Sequence, residues 1–167
     1  MAFTADRREL LRAEKPLLQL LGGVALAFAL WGIFWVGDYL SSRWFDFARP
    51  GVDAVYSMKD GSPAGLIAAL LLCLIGPAEE LFWRGFVQQS FGSLLAGSRC
   101  GRFLAFVFTA VIYALVHIWS FNFMLIMAAL VAGAVWGFIY WLCPKALPAL
   151  VVSHALWDAL VFIWLPI

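Results

Sequence analysis

From residue 16 onward the chain is a succession of apolar runs, each close to the ~20 residues that a helix needs to cross a bilayer. In hydrocarbon no water satisfies the backbone, so a run of this kind must close its hydrogen bonds within itself and fold as a helix. The runs fall at about residues 16–36, 63–95, 103–119, 123–142 and 149–165. Alternating strand patterns and internal repeats are absent from the sequence. With 65% hydrophobic and 13% charged residues, the chain is far from a soluble domain, where about a quarter of residues are charged. The expected fold is all-α: a polytopic membrane helical bundle of about five transmembrane helices. One membrane domain spans 16–167, after a polar segment at 1–15. The first run exceeds the ~7–15 apolar residues of a signal peptide, so it reads as an uncleaved helix.

The second run is too long for one straight span, and Pro77 lies inside it. Proline lacks an N–H and clashes with the carbonyl four residues back, which predicts a kink there. Residues 38–62 combine charge, aromatics, Pro50, Gly51 and Gly61, which predicts a loop with a short interfacial helix near Trp44, Phe45 and Tyr56. Gly133-Ala-Val-Trp-Gly137 offers a small-residue face for close helix packing.

Five spans put the two ends on opposite faces. Arg7, Arg8, Arg12, Lys15, Arg99, Arg102 and Lys145 fall on the N-terminal side, against Arg43, Arg49 and Lys59 on the other. By the positive-inside rule the N-terminus, residues 1–15, is cytoplasmic and the protein is integral to an inner or plasma membrane. Cys73, Cys100 and Cys143 show no C-x-x-C spacing and predict no structural disulfide. The net charge of +1 says nothing about partners, and no basic run suggests nucleic acid, which is not an expected partner.

Against this apolar background one stretch stands out: Gly76-Pro-Ala-Glu79-Glu80-Leu-Phe-Trp-Arg84. A charge at the bilayer centre costs at least ~2.5–3.5 kcal/mol on insertion scales, so such groups need partners or a purpose. Glu80 and Arg84 are spaced i, i+4 and can pair on a helix. Glu79 is turned roughly 100° away and must face something else. Two further polar pairs have the same spacing in apolar helices, Tyr113 with His117 and His154 with Asp158. These are the only two histidines of the sequence.

A carboxylate and an imidazole flanking a water can remove its proton and aim it, and a second imidazole can donate to an oxyanion. Glu79, His117 and His154 also match a zinc-hydrolase ligand set. Both readings lead to hydrolysis of a carbonyl compound. The rival class is a proton-coupled carrier or a non-enzymatic membrane adaptor, in which the same ionisable residues relay protons or hold helices together.

Glu79-Glu80-x-x-x-Arg84, Tyr113-x-x-x-His117 and His154-x-x-x-Asp158, in that order on successive helices, resemble the CAAX-protease and bacteriocin-processing (CPBP, or ABI) family of intramembrane proteases. The resemblance covers about residues 63–165, which would form the catalytic core. Tyr113 stands where the family usually has Phe, and Asp158 where the eukaryotic members have Asn. The resemblance implies that Glu79 is the general base, that His117 helps activate water, and that His154 forms an oxyanion site with Asp158. It implies supporting roles for Glu80 and Arg84, with Tyr113 beside them. The substrate would be a peptide or protein in or at the lipid bilayer: a C-terminal sorting tail, or a bacteriocin-like or prenyl-type chain.

The expected site is metal-free, with zinc on Glu79, His117 and His154 as the alternative. A metal-bound histidine needs an acceptor on its other nitrogen, and the sequence offers few: Asp158 for His154, and at best Tyr113 for His117. Counting ~1.5 Å per residue puts His117 nearer the outer end of its helix than Glu79 and His154 are in theirs.

Overall fold

A computed structural model describes residues 15–167, so all but the last residue of the polar segment 1–15 lies outside the described residues. The chain is all-helical over this range, with α1 Pro16–Trp44, α2 Ala48–Ser57, α3 Ala64–Leu94, α4 Gly101–Leu115, α5 Phe123–Leu142 and α6 Leu147–Ala159. Five helical stretches, all but α2, are long and apolar enough to cross a membrane; α4 continues through a 3₁₀ turn to Ser120, and α6 with its flanking turns spans Pro144–Trp164. The protein is a multi-pass membrane helical bundle.

The boundary of the first helix differs from the sequence reading. The first helix does not stop near residue 36 but runs 29 residues to Trp44, about 44 Å at 1.5 Å per residue, beyond the ~30 Å hydrocarbon layer. Asp38, Ser41, Ser42 and Arg43 therefore belong to a helix rather than a loop. Past the bilayer edge polar side chains no longer interrupt a helix, and Ser42 donates to Asp38 one turn back at 3.4 Å. The third span, Gly101–Ser120, is close to the expected 103–119; its α-helical part closes at Leu115, leaving His117 in the turn that follows.

The short interfacial helix exists as α2, one residue beyond Phe47. Pro50 sits in its first turn, where a missing N–H costs no hydrogen bond. The helix lies over the start of α5: Asn122 Nδ2 donates to the Gly51 carbonyl at 2.7 Å, and Phe47 meets Phe123 edge-on at 5.8 Å.

Pro77 is accommodated by a change of helix type. Residues Leu71–Ile75 form a π-helical turn, and the Gly76 N–H bonds to the Leu71 carbonyl five residues back. Pro77 follows at the start of the next α-helical stretch, where its lack of an N–H is tolerated. A second π-helical stretch, Trp83–Gln88, carries Arg84. Inserted turns of this type mark functional sites more often than chance.

Helix α6 is the most buried span and packs against α1 and α3, while α4 packs against α5. Its contact with α3 depends on Gly76. A Cβ there would lie 2.6 Å from Ala155 Cα, which is backbone and has no rotamer through which to yield. The core gathers around fully buried Trp136, Leu30 and Leu150. Exposed apolar side chains such as Leu18, Leu74, Phe82 and Phe108 cover the outer faces, as expected of a surface that meets lipid tails.

Candidate active site

The contact of α3 with α6 brings the adjacent carboxylates Glu79 and Glu80 against His154 and Asp158. Glu80 and Arg84 are both fully buried, and Arg84 Nη1 donates to Glu80 Oε1 at 2.7 Å. The expected i, i+4 pair is present. Arg84 Nη2 donates to the Gly133 carbonyl of α5 at 3.1 Å, and the guanidinium lies 5.2 Å from the Tyr113 ring centre and 5.5 Å from that of Trp136. The charge is thereby shared between one carboxylate, one carbonyl and two aromatic faces.

The same Glu80 oxygen lies 2.9 Å from His154 Nδ1. A carboxylate oxygen accepts, so this nitrogen carries the proton and Nε2 is turned the other way. Nε2 lies 3.9 Å from Glu79 Oε2 and 3.5 Å from Asp158 Oδ2. Trp136 stacks on the His154 ring with centres 3.9 Å apart, and its own N–H donates to Ser153 Oγ at 3.1 Å. His154 is thus fixed on three sides.

Glu79, turned away from Glu80 by the helix, faces α4. Tyr113 donates its hydroxyl to Glu79 Oε2 at 2.8 Å. The Tyr113 carbonyl meets His117 Nδ1 at 2.8 Å, which again leaves Nε2 free to face outward. One tyrosine therefore ties Glu79 to His117, and this offsets the position of His117 beyond the end of α4. Tyr113 fits because α5 has a glycine opposite: a Cβ on Gly133 would come within 2.7 Å of its ring.

Glu79, Tyr113, His117, His154 and Asp158 line one cavity of about 780 Å³, whose other walls are mostly apolar and include Phe34, Val55 and Leu71. It extends past Asp38 and Tyr56, on the side of α2, away from the face where α1 begins. The structure brings all four expected site residues to one space, with Glu80 and Arg84 behind them.

The shell around His154 has one member that the sequence did not indicate. His154 Nδ1 is held by Glu80 from a neighbouring helix, while Asp158, the expected i, i+4 neighbour, lies 3.5 Å from Nε2. Spacing along one helix could point to Asp158; the partner across the Gly76 contact had no sequence signal. Among the described residues no three His, Cys, Asp or Glu side chains gather closely enough to hold an ion.

Three contributors were missed. Trp136 and Ser153 lock His154, and Gln88 Nε2 donates to the Gly137 carbonyl at 2.9 Å. A signal for the last existed: Arg84 and Gln88 have the same i, i+4 spacing as Gly133 and Gly137, and each side chain binds the carbonyl at its own level. Small residues that let helices approach also expose their carbonyls.

A protein-family model described as Type II CAAX prenyl endopeptidase Rce1-like matches residues 62–160, more than half of the chain and all three motifs. No curated protein and no solved structure matches.

Proposed function

Because the chain belongs to the Type II CAAX prenyl endopeptidase Rce1-like family, we propose that it is an intramembrane endopeptidase in which Glu79 is the general base. The observation that carries this reading is the placement of Glu79: its carboxylate faces the cavity, held by Tyr113, with His154 Nε2 3.9 Å away. The gap between Glu79 and the histidines is where a water would react. Glu79 takes a proton from that water, and the oxygen adds to the scissile carbonyl carbon. The carbonyl oxygen becomes negative and accepts from His154 Nε2–H, the ring acting as an imidazolium whose Nδ1–H is held by Glu80 and whose plane is fixed by Trp136. Collapse breaks the C–N bond, and the proton held by Glu79 passes to the leaving amine. Asp158, 3.5 Å from His154 Nε2, orients that ring. His117, anchored through Nδ1, presents Nε2 to the water.

The substrate is a peptide segment at the membrane, maturing a membrane-bound or exported protein. With the N-terminus cytoplasmic, the cavity opens toward the far face, which suits a sorting tail or similar exported chain. Comparing membrane and secreted proteomes of cells carrying the wild type or Glu79→Ala should reveal the substrate as a chain shortened only by the wild type. Identical chain termini in both would contradict the reading.

The mechanism uses no metal. Cleavage is expected to survive exhaustive treatment with a strong zinc chelator and to gain nothing from added Zn²⁺. About one tightly bound zinc per purified chain, whose removal and return abolish and restore cleavage, would instead make Glu79, His117 and His154 ligands.

A further inference from the structure

The residues after α6 do not leave the molecule. Helix α6 runs on through a π-helical turn, Leu160–Trp164, and of the three residues that follow, Ile167 lines the cavity. Three side chains from other elements hold their backbone. Trp31 Nε1 donates to the Leu165 carbonyl at 2.8 Å, the Tyr56 hydroxyl oxygen accepts the Ile167 N–H at 2.9 Å, and both terminal nitrogens of Arg49 donate to the Ile167 carbonyl at 3.3 and 3.4 Å. Pro166, between them, has no N–H to satisfy. Ile167 is half-buried, packs against the core group containing Trp157 and Leu160, and lines the same cavity as Glu79.

These contacts have two features of a binding site. All are made to backbone atoms, so they do not depend on which side chains the bound segment carries, and only the cavity wall selects an apolar one. The holding groups are themselves anchored: Arg49 pairs with Asp53 at 2.8 Å and Asp38 at 3.4 Å, and its hydrogen bond to Asp53 raises its pKa, which keeps it charged. Burial pushes the Tyr56 hydroxyl up, so it stays a neutral phenol. Main-chain hydrogen bonds combined with an apolar pocket are a general way to hold a non-helical peptide.

We propose that Trp31, Arg49 and Tyr56 form a subsite for a non-helical, apolar peptide segment beside the cavity, and that residues 165–167 occupy it until a substrate segment displaces them. The inference rests on the reading of the cavity as a peptidase site, and it makes the resting protein self-occupied. A ligand for a site already filled binds more weakly in proportion to the fraction that is open.

The test measures binding rather than cleavage, which keeps it separate from the assignment of Glu79. The probe is a dye-labelled synthetic peptide, Phe-Ile-Trp-Leu-Pro-Ile, copying residues 162–167, titrated by fluorescence anisotropy against detergent-solubilised protein. The chain truncated after Trp164 is expected to bind it at least tenfold more tightly than the full chain. Adding Arg49→Ala with Tyr56→Phe to the truncated chain should remove that gain, at an unchanged thermal midpoint. Ile167→Asp in the full-length chain, which expels one side chain from the apolar cavity without shortening the chain, should reproduce the gain if truncation impairs folding. Tight peptide binding by a protein that cleaves nothing would count against the peptidase reading while supporting the subsite. Equal affinity of the full-length, truncated and Ile167→Asp chains, or binding indifferent to Arg49 and Tyr56, would overturn the subsite.

Discussion

Arg84→Ala is expected to lower stability by about 3–5 kcal/mol, the cost of removing one partner from a buried ion pair. That is a large share of the ~5–15 kcal/mol that typically holds a protein folded. Both side chains are fully excluded from solvent, so no water can replace the lost guanidinium. Glu80 Oε1 would retain only the His154 N–H, and Oε2 already has no hydrogen-bond partner. The Gly133 carbonyl would also lose its side-chain donor. The variant should accumulate poorly in membranes, and its thermal midpoint in detergent should fall well below that of the wild type. Arg84→Lys should be intermediate, since an ammonium restores charge but not the fork that reaches Glu80 and Gly133 together. Replacing both charges, as Glu80→Gln with Arg84→Met, should recover part of the loss, because no uncompensated charge remains. A normally stable Arg84→Ala protein would show that the pair does not hold the bundle.

How far the sequence could be read followed the reach of its physical rules. Length and hydropathy located five spans because the bilayer imposes both. The rule that residues four apart share a helix face found Glu80 with Arg84, and Tyr113 with His117. In the second pair, however, it is the tyrosine carbonyl that binds the histidine, while the hydroxyl reaches Glu79 on another helix. The same rule linked His154 to Asp158 and missed Glu80, because α6 meets α3 through Gly76, a position that along the chain reads only as a glycine before a proline. The first helix runs eight residues past the apolar run because hydropathy marks where hydrocarbon ends, not where the helix ends. Beyond the bilayer edge Asp38 is an ordinary helical residue with a serine partner one turn on. Trp136 carries no signal of its own along the chain; its stacking on His154 at 3.9 Å makes it part of the site.

Glu79→Gln is expected to lower cleavage by about 10²–10⁴-fold, the usual contribution of a positioned general base, while leaving the fold intact. Glutamine has the shape of the carboxylate and keeps an oxygen that can accept the Tyr113 hydroxyl, which is the one direct hydrogen bond linking Glu79 to α4. It cannot take a proton from water. Folding and chemistry separate here because Glu79 lines the cavity while Glu80, its neighbour, carries the buried ion pair. The most direct test places wild type and Glu79→Gln in lipid vesicles with the chain found shortened in cells. Peptide products are read by mass spectrometry and proton movement by entrapped pyranine. The account predicts a product from the wild type alone and no proton flux that depends on Glu79. Proton flux lost on Glu79→Gln with no product from either protein, or a product formed equally by both, would contradict it.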